Sequence, residues 1–123
     1  MPQDTVVSIE TVTPAKASQP VHVLTIGVPT LIDGPELDEV RRQLDGLHAG
    51  HPRLDLLVDL GQVGMLSSPA IGLLGMEHRR SWGSKGRMKL CGIGPAVMKV
   101  LTCTRLDAYF DIHASRDEAL ASF

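Results

Sequence analysis

The sequence has few aromatic residues, few cysteines and no excess of charge of either sign. Aromatics make up 3% of the 123 residues, so aromatic stacking platforms for bases or sugars are not expected. Twelve Lys and Arg against fourteen Asp and Glu give a net charge of -2, which argues against nucleic-acid binding and against a polybasic membrane anchor. Two cysteines, Cys91 and Cys103, are too few for a secreted disulfide framework.

Long apolar runs are also missing. None approaches the roughly 18 residues of a membrane-spanning helix. The N-terminal stretch MPQDTVVSIE lacks the basic and apolar regions of a signal peptide. We therefore expect a cytoplasmic protein without direct membrane insertion. A hydrophobic fraction of 43% is typical of a globular chain, and the length predicts a single domain over residues 1–123.

The apolar pattern predicts strands that alternate with helices. Short apolar runs predict strands at 6–9, 21–28, 54–60, 88–93 and 109–113, and a closing helical turn is expected over 117–123. Helical spacing predicts three longer helices, with inward faces formed by Leu37, Val40, Leu44 and Leu47, by Ile71, Leu74 and His78, and by Val97, Val100 and Leu101. The fold class is therefore α/β, with a mixed, mostly parallel sheet of four to five strands, about four helices and an antiparallel first pair.

Two predicted helices have specific start signals. Asp33 and Glu36 have the spacing of a capping box, with Pro35 in the first turn. The Ser-Ser-Pro sequence at 67–69 supplies an N-cap and a first-turn proline for the second helix. Considered by residue chemistry alone, these serines are helix caps that stabilise the helix by about 1 kcal/mol.

Several short motifs occur in a characteristic order. Val58-Asp59-Leu60 ends the predicted central strand, and Ile71-Gly72 follows the serines in the second helix. Similar matches occur later in the chain at Pro95, Val97, Val100, Leu101, Leu106, Ser115 and Glu118-Ala119-Leu120. Together these residues resemble the signature of STAS domains (sulphate transporter and anti-sigma factor antagonist). The resemblance covers nearly the whole chain and implies a single STAS domain.

The resemblance implies an anti-sigma factor antagonist that works by partner switching. In this family an anti-sigma kinase phosphorylates a serine at the start of the second helix, and the phosphorylated form releases its partner. The unphosphorylated form captures the kinase and frees a sigma factor. Alignment on Gly72 places Pro69 at the usual acceptor position, so Ser68 and Ser67 are the candidate phosphorylation sites.

The implied partner surface is the loop 61–69 with the exposed face of the helix that follows. The candidate partner-binding residues are Asp59, Met65, Ser67, Ser68, Pro69, Ile71 and Gly72. Met65 and Leu66 are candidate apolar anchors, and we favour a core position for Leu66. The loss of the acceptor position to Pro69 leaves a second hypothesis open. In it the chain is an accessory subunit that binds an ABC-transporter ATPase independently of phosphorylation.

Cofactor and metal chemistry have weak signals. Gly92 and Gly94 lie between a strand and a helix, but the third glycine of a dinucleotide loop is absent, so no cofactor is expected. His48 and His51 are close to Asp55 in sequence, but no further ligand follows at a recognisable spacing. No metal site is expected.

Enzymatic chemistry is also poorly supported. Ser67 or Ser68 as a nucleophile would need a paired base, and none is visible. Cys91 lies among apolar neighbours, and Asp59 is a lone carboxylate. A charged cluster around the end of the second helix is interpreted as a solvated face; it comprises Glu77, Arg79, Arg80, Lys85 and Arg87. The chain is not expected to be an enzyme.

Overall fold

A five-stranded sheet flanked by helices forms the centre of the fold. The computed structural model describes residues 6–123. Its elements are, in chain order, β1 (Val7–Val12), β2 (Val21–Ile26), β3 (Thr30–Leu31), α1 (Pro35–Gly50), β4 (Asp55–Asp59), β5 (Met65–Leu66), α2 (Ser68–Gly83), β6 (Arg87–Cys91), α3 (Pro95–Cys103), β7 (Ile112–His113) and α4 (Arg116–Ala121). The main sheet has the strand order β1-β2-β4-β6-β7.

The sheet is mixed, as predicted. β1 and β2 pair antiparallel, whereas β2, β4, β6 and β7 are mutually parallel. The register pairs Leu24 with Val58 and Val58 with Leu90 across the three central strands. Parallel neighbours need helical crossovers, which α1, α2 and α3 supply. The predicted α/β class, the strand count and the antiparallel first pair are confirmed.

Both faces of the central strand are buried, which explains its continuous apolar sequence. Leu56 and Val58 belong to the main core, which packs against α1, α2 and α3. Leu57 points to the opposite face, where Ala119 and Phe123 from the C-terminal segment cover it. The predicted inward face of α1 is confirmed, since all four of its leucine and valine positions are buried.

Three sequence predictions about the helices are wrong. α1 is capped by Gly34 (φ 140°) without a side-chain hydrogen bond, so Asp33 and Glu36 form no capping box. Val100 is exposed, because the buried face of α3 is centred on Val97 and Leu101.

The third wrong prediction concerns the buried face of α2. This face consists of Ala70, Leu73, Leu74, Glu77 and Ser81. Glu77 is therefore buried and not part of a solvated face. His78 and Ile71, which we predicted on the inward face, are half-buried at the sides of this face.

The last predicted strand is shorter than expected. Tyr109 and Phe110 lie in a turn, where both of their N–H groups donate to the carbonyl of Leu106 at 3.0 Å. Only Ile112 and His113 pair with β6. The turn uses the backbone donors that a longer strand would need. No helix among residues 6–123 is long and apolar enough to cross a membrane.

Candidate functional site

A small second sheet holds the loop that precedes α2. β3 and β5 pair in parallel, with Leu31 opposite Leu66. The N–H of Gly64 donates to the Pro29 carbonyl at 2.7 Å, and the N–H of Ser67 donates to the Leu31 carbonyl at 3.0 Å. These hydrogen bonds join the loop to the segment that follows β2. The sequence did not predict this sheet, because two-residue strands have no periodicity to detect.

The two serines at the start of α2 have different environments. Ser67 is the N-cap: its Oγ accepts a hydrogen bond from the N–H of Ala70 at 3.2 Å, and its carbonyl accepts from Ile71 at 3.0 Å. Ser68 is the first helical residue and is exposed, and Pro69 follows it, also exposed. The Ser67 hydroxyl is therefore occupied within the domain, whereas the Ser68 hydroxyl faces solvent.

Asp59 shapes the beginning of the same loop. Its Oδ1 accepts a hydrogen bond from the N–H of Gly61 at 2.9 Å. Gly92 passes close to this carboxylate in a left-handed conformation (φ 72°), where a Cβ would lie 3.0 Å from Asp59 Oδ1. Burial, with the nearby Asp59 charge, raises the pKa of the Cys91 thiol to about 11. The thiol is therefore protonated and unreactive at neutral pH.

An apolar groove lies beside the loop. Met65 is 52% exposed, whereas Leu66 is buried, as predicted. Met65 and Leu66 line one wall, and Val97 and Val100 of α3 line the other, around a cavity of about 120 Å³. Val100 is thus exposed because it faces this groove and not the core.

A second groove follows the outer face of α2. It has a volume of about 340 Å³ and is lined by Ile71, Gly72, Met76, Leu106 and Tyr109, among others. The Met76 side chain is 68% exposed. A Cβ added at Gly72 would meet no atom within 4 Å, so the helix surface at this position is open. Exposed apolar surface of this kind is typical of a protein-binding face.

The chain matches the model of the STAS domain over residues 14–119. It belongs to the STAS family. The fold is shared with an anti-sigma-factor antagonist (STAS) domain protein from Planctomyces limnophilus, with 23% identity, coverage of 93% of this chain and 96% of that chain, and a TM-score of 0.77. No curated protein sequence is significantly similar to the chain.

Two further structures have the same fold. The Bacillus cell fate determinant SpoIIAA in its phosphorylated form is 18% identical, with coverage of 93% of this chain and 96% of that chain and a TM-score of 0.67. The murine anion transporter solute carrier 26 family member A9 is 13% identical, with a TM-score of 0.70; the match covers 96% of this chain but 22% of the transporter. At these identities the likeness establishes the fold alone.

The histidines considered for metal binding have other roles in the STAS domain. His48 Nε2 donates to the buried carboxylate of Glu77 at 2.8 Å. His51 Nδ1 donates to the Leu47 carbonyl at 2.9 Å, and its ring lies 4.1 Å from that of His22. Among residues 6–123, no group of three or more His, Cys, Asp or Glu side chains is arranged to hold a metal ion.

The candidate partner-binding residues lie around the start of α2, and the folded chain adds further surface to them. Met65, Ser68, Pro69 and Gly72 are exposed, while Ser67, Ile71 and Asp59 are half-buried. Met76 lies on the exposed face of α2, which the sequence prediction included; the residues of this surface that sequence reasoning missed are Val100, Leu106 and Tyr109. They come from segments that only the folded chain brings to the loop, so no local motif could have indicated them.

Proposed function

We propose that this STAS domain is an anti-sigma factor antagonist that binds an anti-sigma factor with serine kinase activity. The observation that carries the proposal is the exposed Ser68 hydroxyl at the start of α2, between the Met65 that lines the first groove and the Ile71 that lines the second. The domain acts in the cytoplasm as a binding protein and not as an enzyme. The fold that it shares with SpoIIAA, a protein known in a phosphorylated form, supports this function.

Ser68 is a better phosphoacceptor than Ser67. The Ser67 hydroxyl caps the helix at 3.2 Å from the N–H of Ala70, so a kinase would have to break this bond to reach it. Ser68 is exposed and needs no local unfolding. Phosphorylation brings about -1.5 to -2 charges to a position between two mostly apolar grooves. A charge at this position opposes partner binding because the partner must desolvate it.

Pro69 determines how such a phosphate acts. Pro69 has no N–H, and the N–H groups of Ala70 and Ile71 already bond to Ser67. The phosphate therefore has few backbone donors within the domain, and it stays in solvent, directed toward the partner. The switch then changes the interface and leaves the fold of the STAS domain unchanged.

The test of the acceptor is phosphorylation by the anti-sigma kinase of the same organism with Mg-ATP, followed by mass spectrometry of the tryptic peptide 54–79. We expect one phosphate, which Ser68→Ala abolishes. Ser67→Ala is the matched control: it removes the cap and about 1 kcal/mol of stability, but keeps the phosphate. Phosphate that remains on Ser68→Ala, or none on the wild-type chain, contradicts the proposal for Ser68.

A second candidate function follows from Pro69 at the usual acceptor position. In it, the domain binds an ABC-transporter ATPase constitutively. The comparison of Ser68→Asp with the isosteric, uncharged Ser68→Asn separates the two functions. The switch predicts that Asp weakens kinase binding by more than about tenfold relative to Asn, measured by calorimetry. Equal affinities of both variants, with a transporter ATPase as the purified partner, favour the constitutive subunit.

A further inference from the structure

A third cavity, a cleft distinct from the two grooves, lies at the C-terminal end of α2, at the opposite end from Ser68. Its volume is about 350 Å³, within the range of small-molecule sites. It is lined by His78, Trp82, Lys85, Arg87, Met88 and Asp111, among others. None of these residues takes part in the proposed switch at the start of the helix.

Trp82 forms an unusually open wall of this cleft. It is the only tryptophan of the chain, and 75% of its surface is exposed. One turn before Trp82 on α2, the imidazole of His78 packs on the rings of Tyr109 and Phe110, with centroid distances of 4.7 and 5.7 Å. The cleft therefore combines an exposed indole with a supported imidazole, a combination that suits a flat apolar ligand.

The charges of the cleft favour an anion. Lys85 makes no ion pair with any residue in the described part of the chain, so its ammonium is available. Asp111 is the opposing group, but Lys89 holds one of its oxygens at 2.5 Å and His113 the other at 2.9 Å. Burial raises the pKa of Asp111, but these two partners lower it below its usual value. Its negative charge is therefore compensated.

Two further polar groups complete the cleft. Arg87 lies 3.5 Å from the Asp55 carboxylate, a distance that leaves its half-exposed guanidinium with donors to spare. His78 Nδ1 is buried without a hydrogen-bond partner within residues 6–123. Burial lowers the pKa of His78, against the opposing effect of Asp111, so the ring is neutral at pH 7. The neutral ring adds no charge to the cleft, so the cations that line it are Lys85 and Arg87.

We propose that this cleft binds a small aromatic anion, with the ring against Trp82 and the carboxylate or an equivalent anionic group on Lys85. The site does not use Ser68 and shares no lining residue with the grooves beside it, but Tyr109, which lines the second groove, also packs on His78 of the cleft. The cleft gives the domain a place for a small-molecule input at the far end of the helix that begins with Ser68.

The backbone conformation at Lys85 allows the proposed site to be tested by a substitution that preserves the fold. Lys85 follows the C-cap of α2 in a left-handed conformation (φ 65°), with its N–H bonded to the Trp82 carbonyl and that of Gly86 to the Ser81 carbonyl. Glycine is the residue that this helix ending favours. Lys85→Gly therefore removes the ammonium without threatening the fold.

α3 supplies the matched control. Arg105 follows the C-cap of this helix in the same conformation (φ 62°), with its N–H bonded to the Thr102 carbonyl and that of Leu106 to the Leu101 carbonyl. Arg105 does not line the cleft at the end of α2. Arg105→Gly therefore removes a cation from an equivalent helix end while leaving the proposed site intact.

The experiment titrates the full chain with 2-naphthoate and, separately, with its neutral amide, followed by ¹H–¹⁵N NMR. We expect saturable shifts at the Trp82 indole N–H and at Lys85, with a dissociation constant of about 1 mM or tighter for the naphthoate. Lys85→Gly should weaken naphthoate binding at least about fivefold and leave amide binding unchanged. Arg105→Gly should change neither.

Three results would overturn the proposal. They are the absence of saturable shifts at Trp82 and Lys85 at millimolar naphthoate, equal affinity for the acid and the amide, and an equal loss in the Lys85→Gly and Arg105→Gly variants. Trp82→Ala is a further check by calorimetry, since the indole is exposed and its removal leaves the core intact. It should weaken binding of both ligands, and unchanged binding would contradict the placement of the ring.

Discussion

A buried polar pair between α1 and α2 is expected to hold α2 in place. His48 Nε2 and Glu77 Oε2 are 2.8 Å apart, and their side chains are only 6% and 4% exposed. Arg80 extends the pair to the surface, since it lies 3.5 Å from Glu77 and 2.7 Å from Asp45 on α1. The perturbation we consider is Glu77→Ala, alone and combined with His48→Ala.

The burial of both partners determines the size of the effect. Removal of Glu77 leaves the buried N–H of His48 without its acceptor, and an unsatisfied buried polar group costs about 1–3 kcal/mol. This is a large part of the roughly 5–15 kcal/mol that stabilises a domain. Arg80 contributes little to this cost, because its half-exposed guanidinium returns to water. In a double-mutant cycle, we expect a coupling energy of about 1.5–3 kcal/mol between His48 and Glu77.

The assay is urea unfolding followed by far-ultraviolet circular dichroism for the wild-type chain, the two single variants and the double variant. The control cycle uses Arg41 and Asp38, an exposed pair 3.0 Å apart on α1, for which about 0.2–0.5 kcal/mol is expected. A coupling energy for His48 and Glu77 no larger than that of the control would refute the reasoning. It would mean that apolar packing alone positions α2.

Three further predictions concern other parts of the chain. Gly86→Ala should lower the free energy of unfolding by about 1–3 kcal/mol or more, because a Cβ there collides with the backbone before β4. Gly46→Ala, on open helix surface, should raise the free energy of unfolding slightly, and the urea midpoints of the two variants test both expectations. A thiol reagent at pH 8 should label exposed Cys103 rapidly and the buried Cys91, whose pKa is raised to about 11, only on unfolding; rapid labelling of both would contradict this. Burial and a neighbouring imidazole lower the pKa of His22 below 6.5 in the folded chain, so on acidification this histidine is protonated in the unfolded chain before it is in the folded one, and stability should fall as the pH drops below 6.5. His22→Asn should flatten this pH dependence in urea titrations at pH 7.5 and 5, and an unchanged slope would count against the prediction.

Periodicity and turn chemistry account for what the sequence could predict of the fold. The apolar run from Leu54 to Leu60 is too short for a helix and too continuous for a half-exposed strand. It therefore predicts a buried central strand. The Ser-Ser-Pro sequence at 67–69 has strong positional preferences, and α2 begins where it indicates.

Two of the errors came from interactions between distant segments. Glu77 is charged, which predicted a solvated position, but His48, 29 residues earlier in the chain, supplies the partner that makes its burial tolerable. Val100 fits a helical core pattern, yet the surface opposite it is the groove beside Met65 and not the core. Periodicity shows that a residue can face inward, but it does not show what lies opposite. The groove beside Met65 and the cleft at Trp82 were missed for the same reason.

Under the proposed function, a single substitution at the start of α2 moves the phosphorylation site by one residue without removing it. Pro69 lacks a hydroxyl and an N–H, so the usual acceptor position can neither receive a phosphate nor donate to one. The N-cap bond from Ala70 occupies the Ser67 hydroxyl and leaves Ser68 as the free hydroxyl at this end of the helix. Proline is well tolerated in the first helical turn, so the substitution preserves the helix and the surface around it. If partner binding depends on the charge and not on its exact position, a displacement of one residue keeps the switch. If partner binding depends on the exact position of the phosphate, Pro69 fixes the domain in its binding form.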